Sequence, residues 1–332
     1  MGKRERKISK FTGRWITEQG AGTVEYVIVV LVAIVIGAGL LAFGNQVSGQ
    51  VTKTGDSISS WFSKANGTGG TGGGNAGGGN SGTDSRIDEL KEKNPADWTL
   101  DDQKAVAEDI GKKGNSSELY SKAKDAMDAG TEWSITLTDG NTLTYRIIGI
   151  NHDDLADGSG KAGLTFWTTS MTIESRMNAN QTNVGGWEKS ELRAKMNSGD
   201  IWNLMPSELQ SKVKAVKKLT NNVGGGDANK DAAVTATTDK LFLLSNSEIV
   251  PTSYWASEYP WTSSEGTQYE AFRGKVTNNY SDNKCLKTGV IRWERSVIPN
   301  SSLGFLMIDS YGDPSNRSAA MVNYHICPTW CF

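Results

Sequence analysis

Few side chains in this 332-residue sequence are of types that carry chemistry by themselves. Its two histidines, His152 and His325, are far apart, which argues against a histidine-based metal centre or a histidine-dependent hydrolase. His325 lies two residues from Cys327, and alternate residues of a strand share a face, so an imidazole could meet a thiol there. That is the whole case for a nucleophilic cysteine, and no enzymatic activity is expected. Three cysteines exclude a disulfide-rich scaffold and a four-cysteine zinc site. The arithmetic allows one disulfide and one free thiol: Cys327 with Cys331, or Cys285 with either. Asp227, Asn229 and Asp231 have the spacing of the first half of a calcium loop. The sixth position is Ala232 rather than glycine and no glutamate stands at the twelfth, so a solvated hairpin tip is the competing reading. His152, Asp153, Asp154 and Asp157 lack ligand spacing and read as a surface turn. No cofactor is expected.

What remains is recognition chemistry. Arg295, Asn300, Tyr311, Asn316, Arg317, Asn323 and Tyr324 fall in one stretch with the turn formers Gly304, Gly312 and Pro314. Tyr, Arg and Asn build adaptable contact surfaces, because rigid rings give area at little entropic cost. Trp293 and Trp330 are expected inside the core. The elements that must carry these loops are unevenly distributed along the chain. Residues 1–20 hold Lys3, Arg4, Arg6, Lys7, Lys10 and Arg14 against Glu5 and Glu18, a net +4 within a chain of net −2. The overall balance excludes a polybasic nucleic-acid binder. Residues 26–43 contain no charge. As a helix they span about 27 Å, near the thickness of a bilayer's hydrocarbon core. The basic flank predicts that residues 1–20 stay cytoplasmic and the rest is exported.

Residues 46–64 continue as an amphipathic helix, and ten of the sixteen residues 67–82 are glycine, the composition of a flexible tether. Short helices are expected over 84–130, with a capping box at Thr99–Asp102 and Gly130 as a C-cap. Alternation of Trp133, Ile135 and Leu137, a turn at Asp139-Gly140, and renewed alternation of Leu143, Tyr145 and Ile147 predict a β-hairpin. Helices are read over 187–197 and 206–217, a buried strand opening 240–249, and short strands at 290–293 and 304–309. The fold class is α+β, with segments at 1–20 (leader), 21–65 (apolar and amphipathic helix), 66–83 (linker), 84–130 (helical) and 131–332 (α+β domain).

The run Gly20-Ala21-Gly22-Thr23-Val24-Glu25-Tyr26 before the apolar helix resembles the processing site of type IVb pilins of the Flp/Tad class. The resemblance implies cleavage between Gly20 and Ala21 by a prepilin peptidase, and assembly with other pilin subunits through the apolar helix. Glu25 and Tyr26 would then serve filament assembly, with the Glu25 carboxylate facing the Ala21 ammonium of a neighbouring subunit. Two charges that are costly to bury singly would thereby be paired.

The second half resembles a domain-of-unknown-function family common in bacterial surface proteins. The residues that carry it are Trp187 with Ser190–Arg193, Met205-Pro206, the run 237–245 with Glu248, Trp293-Glu294-Arg295-Ser296, and the closing run 325–330. Glu294, Val297 and Cys327 depart from its usual Leu, Pro and Arg. The layout also looks like the C-type-lectin-like fold, in which a small sheet supports a loop-rich ligand face. Together the resemblances imply a minor or tip subunit of a Tad-type pilus that displays an adhesion domain. It would lie in the membrane before assembly and at the cell surface afterwards. Its ligand would be an unidentified surface glycan or protein. The alternatives are an assembly pseudopilin without a ligand and a membrane-anchored extracytoplasmic enzyme.

Overall fold

A computed structural model describes residues 81–332 except 278, 281 and 282. The leader, Gly20, Ala21, Glu25, Tyr26 and the apolar helix lie outside the described residues. Among the described residues no helix is long and apolar enough to cross a membrane.

Helix α1 spans Ser81–Glu92, α2 Leu100–Lys113 and α3 Tyr120–Ala129. Helix α1 begins at Ser81, so it takes in the last three residues of the segment 66–83 read as linker. Thr99 caps α2 as its sequence predicts. The Asp102 N–H donates to Thr99 Oγ1 at 3.2 Å, and the Thr99 N–H donates to Asp102 Oδ2 at 2.8 Å. Gly130 ends α3 at φ +67°, where a side chain would be strained.

The expected hairpin follows: β1 (Glu132–Thr136) pairs antiparallel with β2 (Thr142–Ile150). Strand β3 (Leu164–Thr168) pairs with β2, and the sheet is closed from far along the chain by β11 (Thr329–Cys331), in the order β1-β2-β3-β11. Its inner face is aromatic. Tyr145 lies 4.9 Å from Trp330 between ring centres, and Phe166 packs edge-on to Tyr145 at 5.7 Å. Helix α2 lies so close to this sheet that a methyl group on Gly163 would sit 1.9 Å from the Ala107 carbonyl oxygen. Gly163→Ala is therefore expected to cost about 1–3 kcal/mol by overpacking, seen as a lower melting temperature.

The second sheet has the order β4-β10-β7-β8-β9. Its strands are β4 (Ile173–Ser175), β7 (Arg292–Val297), β8 (Gly304–Ile308), β9 (Asn316–Ala319) and β10 (Tyr324–Ile326). Between β4 and β7 run α4 (Glu191–Ser198), α5 (Asp200–Leu204), α6 (Ser207–Gln210), the hairpin β5 (Val216–Asn221) with β6 (Val234–Asp239), and α7 (Asn246–Ile249). The class is mixed α+β. Two expectations are corrected here. The helix read over 206–217 is only the turn α6, and by Val216 the chain is already strand. The strand read at the start of 240–249 is an extended buried segment with a single bridge, Phe242 to Thr329, and the paired strand lies just before it.

Candidate functional site

The loops are held up by a buried ionic cluster. Lys218 on β5 reaches Asp153 at 2.6 Å and Glu248 at 2.5 Å, and all three side chains are at most 3 % exposed. Arg295 on β7 pairs with the other oxygen of Glu248 and is fully buried. Its remaining donors go to Thr220 Oγ1 at 2.9 Å and to the carbonyls of Leu243 (2.7 Å), Glu265 (2.7 Å) and Leu219 (3.1 Å). Glu248 also closes the capping box of α7 by accepting the Ser245 N–H. Burial pushes the Asp153 and Glu248 carboxyls up. The adjacent cations outweigh it, Lys218 first for Asp153 and Arg295 first for Glu248, and hold both below the usual range.

Glu265 has no such partner. It accepts the Ser296 hydroxyl and the Asn221 N–H, and burial pushes its carboxyl up to about 7. Two cations thus face two firmly ionised carboxylates, and the third carboxyl is the one that can hold a proton. Glu294, where the resembling family carries leucine, is fully buried, and neither of its oxygens has a hydrogen-bond partner among the described residues. Burial raises its carboxyl well above the usual carboxylate range.

Arg295 is therefore corrected from a surface contact to a structural ion. Asp153 is likewise no part of a surface turn but a floor of the cluster. It takes hydrogen bonds from Lys218, Tyr269 and Thr165. Above it a polar depression of about 330 Å³ opens past His152, Lys217 and Thr267. Tyr324 is half-buried against Trp293, 5.0 Å between ring centres, and its hydroxyl accepts from Ser318.

The three cysteines are free thiols. The expected pairing is absent because the two closest in sequence face different surroundings. Cys327 Sγ points to the Met171 sulfur at 3.8 Å, and Cys331 Sγ to Thr165 and Asp153. His325 faces Glu174 at 3.3 Å instead of Cys327, and burial pushes the Cys327 thiol up to about 11. Asp227, Asn229 and Asp231 lie in the loop joining β5 to β6. Asp227 accepts the Tyr259 hydroxyl and Asn229 donates to the Gly225 carbonyl. Among the described residues no three acidic, histidine or cysteine side chains converge to hold a metal.

Two of the expected contact residues do meet. Asn300 and Arg317 line a depression of about 400 Å³ with Gln181 and Leu303, and Arg317 Nη1 lies 3.4 Å from Asn300 Oδ1. Arg317 is on β9 and Asn300 in the β7–β8 loop, which is tightly braced. The Asn183 amide donates to the carbonyls of Ser301 and Gly304, and Gly225 packs so tightly that a methyl group there would meet the Ile298 carbonyl oxygen at 1.8 Å. Neither Tyr311 nor Asn323 lines this depression. Tyr311 is 61 % exposed under the Lys287 ammonium, and Asn323 is exposed. Asn316 is half-buried, its amide 3.5 Å from Asp309 and its carbonyl accepting the Arg317 N–H.

Sequence reasoning missed the far side of Arg317. Its guanidinium lies over the Trp255 ring at 5.6 Å, Trp255 packs edge-on to Tyr254 at 5.2 Å, and Tyr254 lies 6.3 Å from Tyr280. Asn279 ties these loops together. It accepts the Tyr254 N–H and the Ser315 hydroxyl, and donates to the Thr252 carbonyl. The available signal was the density of Trp and Tyr after residue 253, which marks core and surface alike.

No curated protein and no solved structure matches the chain. Residues 162–331, just over half of the sequence, match the family described as a domain of unknown function, DUF6273, and the chain belongs to that family.

Proposed function

We propose that the chain is a pilin-like subunit that displays residues 81–332 as a ligand-recognition domain at the cell surface, in the manner of a C-type-lectin-like module. The observation that carries the recognition part is the placement of Arg317. It joins a depression of about 400 Å³ to a cluster of exposed aromatic rings, on loops braced by buried amides. A contact surface needs groups fixed before the ligand arrives, and this one has them. The Gly-rich stretch 67–80 supplies the tether, with a root-mean-square reach of about 20 Å. A domain of this size on a tether suits a minor or tip subunit better than the repeating unit of a thin filament.

The pilin part rests on the run Gly20–Tyr26 and the uncharged residues 26–43. The mature chain is expected to begin at Ala21 and to be recovered in sheared surface filaments. N-terminal mass spectrometry that finds Met1 intact, or a cut near Asn45, removes that part of the reading.

A further inference from the structure

The recognition reading leaves the chemistry of the ligand open, and the surface around Arg317 narrows it. Tyr254 is 54 % exposed and Tyr280 61 %. The groups between and beside these rings are polar: Asn279, Ser315, Arg317, Asn300 and Gln181. Protein interfaces are also enriched in Tyr, Trp and Arg, but their centre is a large, desolvated patch flanked by a polar rim. This surface instead offers a small group of rings, Tyr254, Trp255 and Tyr280, bordered by amide and guanidinium groups. That arrangement matches a sugar ring, which has an apolar C–H face and a rim of hydroxyls.

The charge narrows it further. Arg317 is exposed, and among the described residues no carboxylate lies within ion-pair distance of it. It is nevertheless held in place, by the Trp255 ring on one side and Asn300 on the other. A guanidinium pre-oriented in this way presents a planar fork of donors suited to a carboxylate, which it binds through two parallel hydrogen bonds.

We propose, on the basis of the recognition reading, that this face binds a carboxylated glycan. A pyranose ring lies against Tyr254 and Tyr280, the ligand carboxylate pairs with Arg317, and neighbouring hydroxyls reach Asn300 and Gln181. Glycine or a small aliphatic residue at 254 removes the stacking, and any uncharged residue at 317 removes the carboxylate preference.

The test uses the full chain in detergent micelles, titrated with trigalacturonate, a hyaluronan tetrasaccharide and sialyllactose, each beside its methyl ester. At least one acid is expected to bind about tenfold more tightly than its ester, the scale of one charge-assisted contact. Arg317→Gln should abolish that difference while leaving the melting curve in place. Tyr254→Ala should weaken acid and ester alike by about tenfold, again without a change in melting. The proposal is overturned if none of the three acids binds, if acid and ester bind equally, or if Arg317→Gln keeps the difference. Adhesion of cells carrying the chain to a glycoprotein-coated surface separates the two levels of the argument. If Arg317→Gln abolishes adhesion but none of the three acidic sugars competes, the ligand is a protein and only the glycan proposal falls. If Arg317→Gln leaves adhesion unchanged, the recognition reading falls with it.

Discussion

Arg295→Ala is expected to destabilise the domain by about 3–5 kcal/mol, enough to leave much of it unfolded at physiological temperature. The substitution removes one partner of a buried pair and leaves the other. Glu248 keeps Lys218 but loses its second cation, and the carbonyls of Leu219, Leu243 and Glu265 lose their donor, those of Leu243 and Glu265 in buried surroundings. Each unsatisfied buried acceptor costs about 1–3 kcal/mol. Arg295→Lys should recover part of the loss, because a lysine restores the charge but not the planar fork that serves five acceptors at once. Arg317→Ala on the exposed face should change stability by no more than about 0.5 kcal/mol. Chemical denaturation of the three variants checks the order. An Arg295→Ala variant as stable as the parent would return Arg295 to the surface, where the sequence alone had put it.

The second large effect is in pH. The Glu265 carboxyl titrates near 4.5 in the unfolded chain and near 7 in the folded one. Between those values the native state binds the extra proton, so stability must fall as pH rises across the window. The loss amounts to about 3 kcal/mol. Asp153 and Glu248, held low by Lys218 and Arg295, act with the opposite sign: their contribution is present above the unfolded values and is lost in acid. Neither falls inside the Glu265 window. Glu265→Gln keeps the shape and removes the titration. The variant should therefore match the parent near pH 4.5 and exceed it by about 3 kcal/mol at pH 8. Parallel stability curves for parent and variant from pH 4.5 to 8 would show that Glu265 holds no proton in the folded state.

Local patterns were readable in the sequence and long-range pairings were not. The β1–β2 hairpin announced itself through alternation and Asp139-Gly140. The start of α2 was visible in Thr99 and Asp102, because capping is written within four residues. Strand β5 was hidden for a physical reason. Leu209, Val213 and Val216 satisfy helical spacing, while Val216, Lys218 and Thr220 satisfy strand spacing, and only the pairing with β6 decides between them. The same reason applies to charge. Arg and Lys are rarely fully buried, so Arg295 read as solvent-facing and Lys218 drew no attention. Their partners Glu248 and Asp153 are 47 and 65 residues away. Asn300 and Arg317 were found because they share one short stretch. Tyr254, Trp255 and Asn279, which complete that surface, come from loops brought together only by the fold.

The closure of the first sheet by β11 bears on how the chain is made. Phe166 on β3 waits for Trp330, 164 residues away, and Phe242 for Thr329, 87 residues away. Contacts this distant in sequence form late, since the loop entropy must be met before they contribute. During synthesis, one edge of β3 stays unpaired until nearly the whole described unit has emerged, and the aromatic centre cannot lock. For a chain threaded across a membrane before it folds, this delay is useful, because a domain that cannot close early cannot jam the channel. Under the proposed export, its counterpart is a period with an open strand edge, when the nascent protein is most open to wrong pairing with its neighbours.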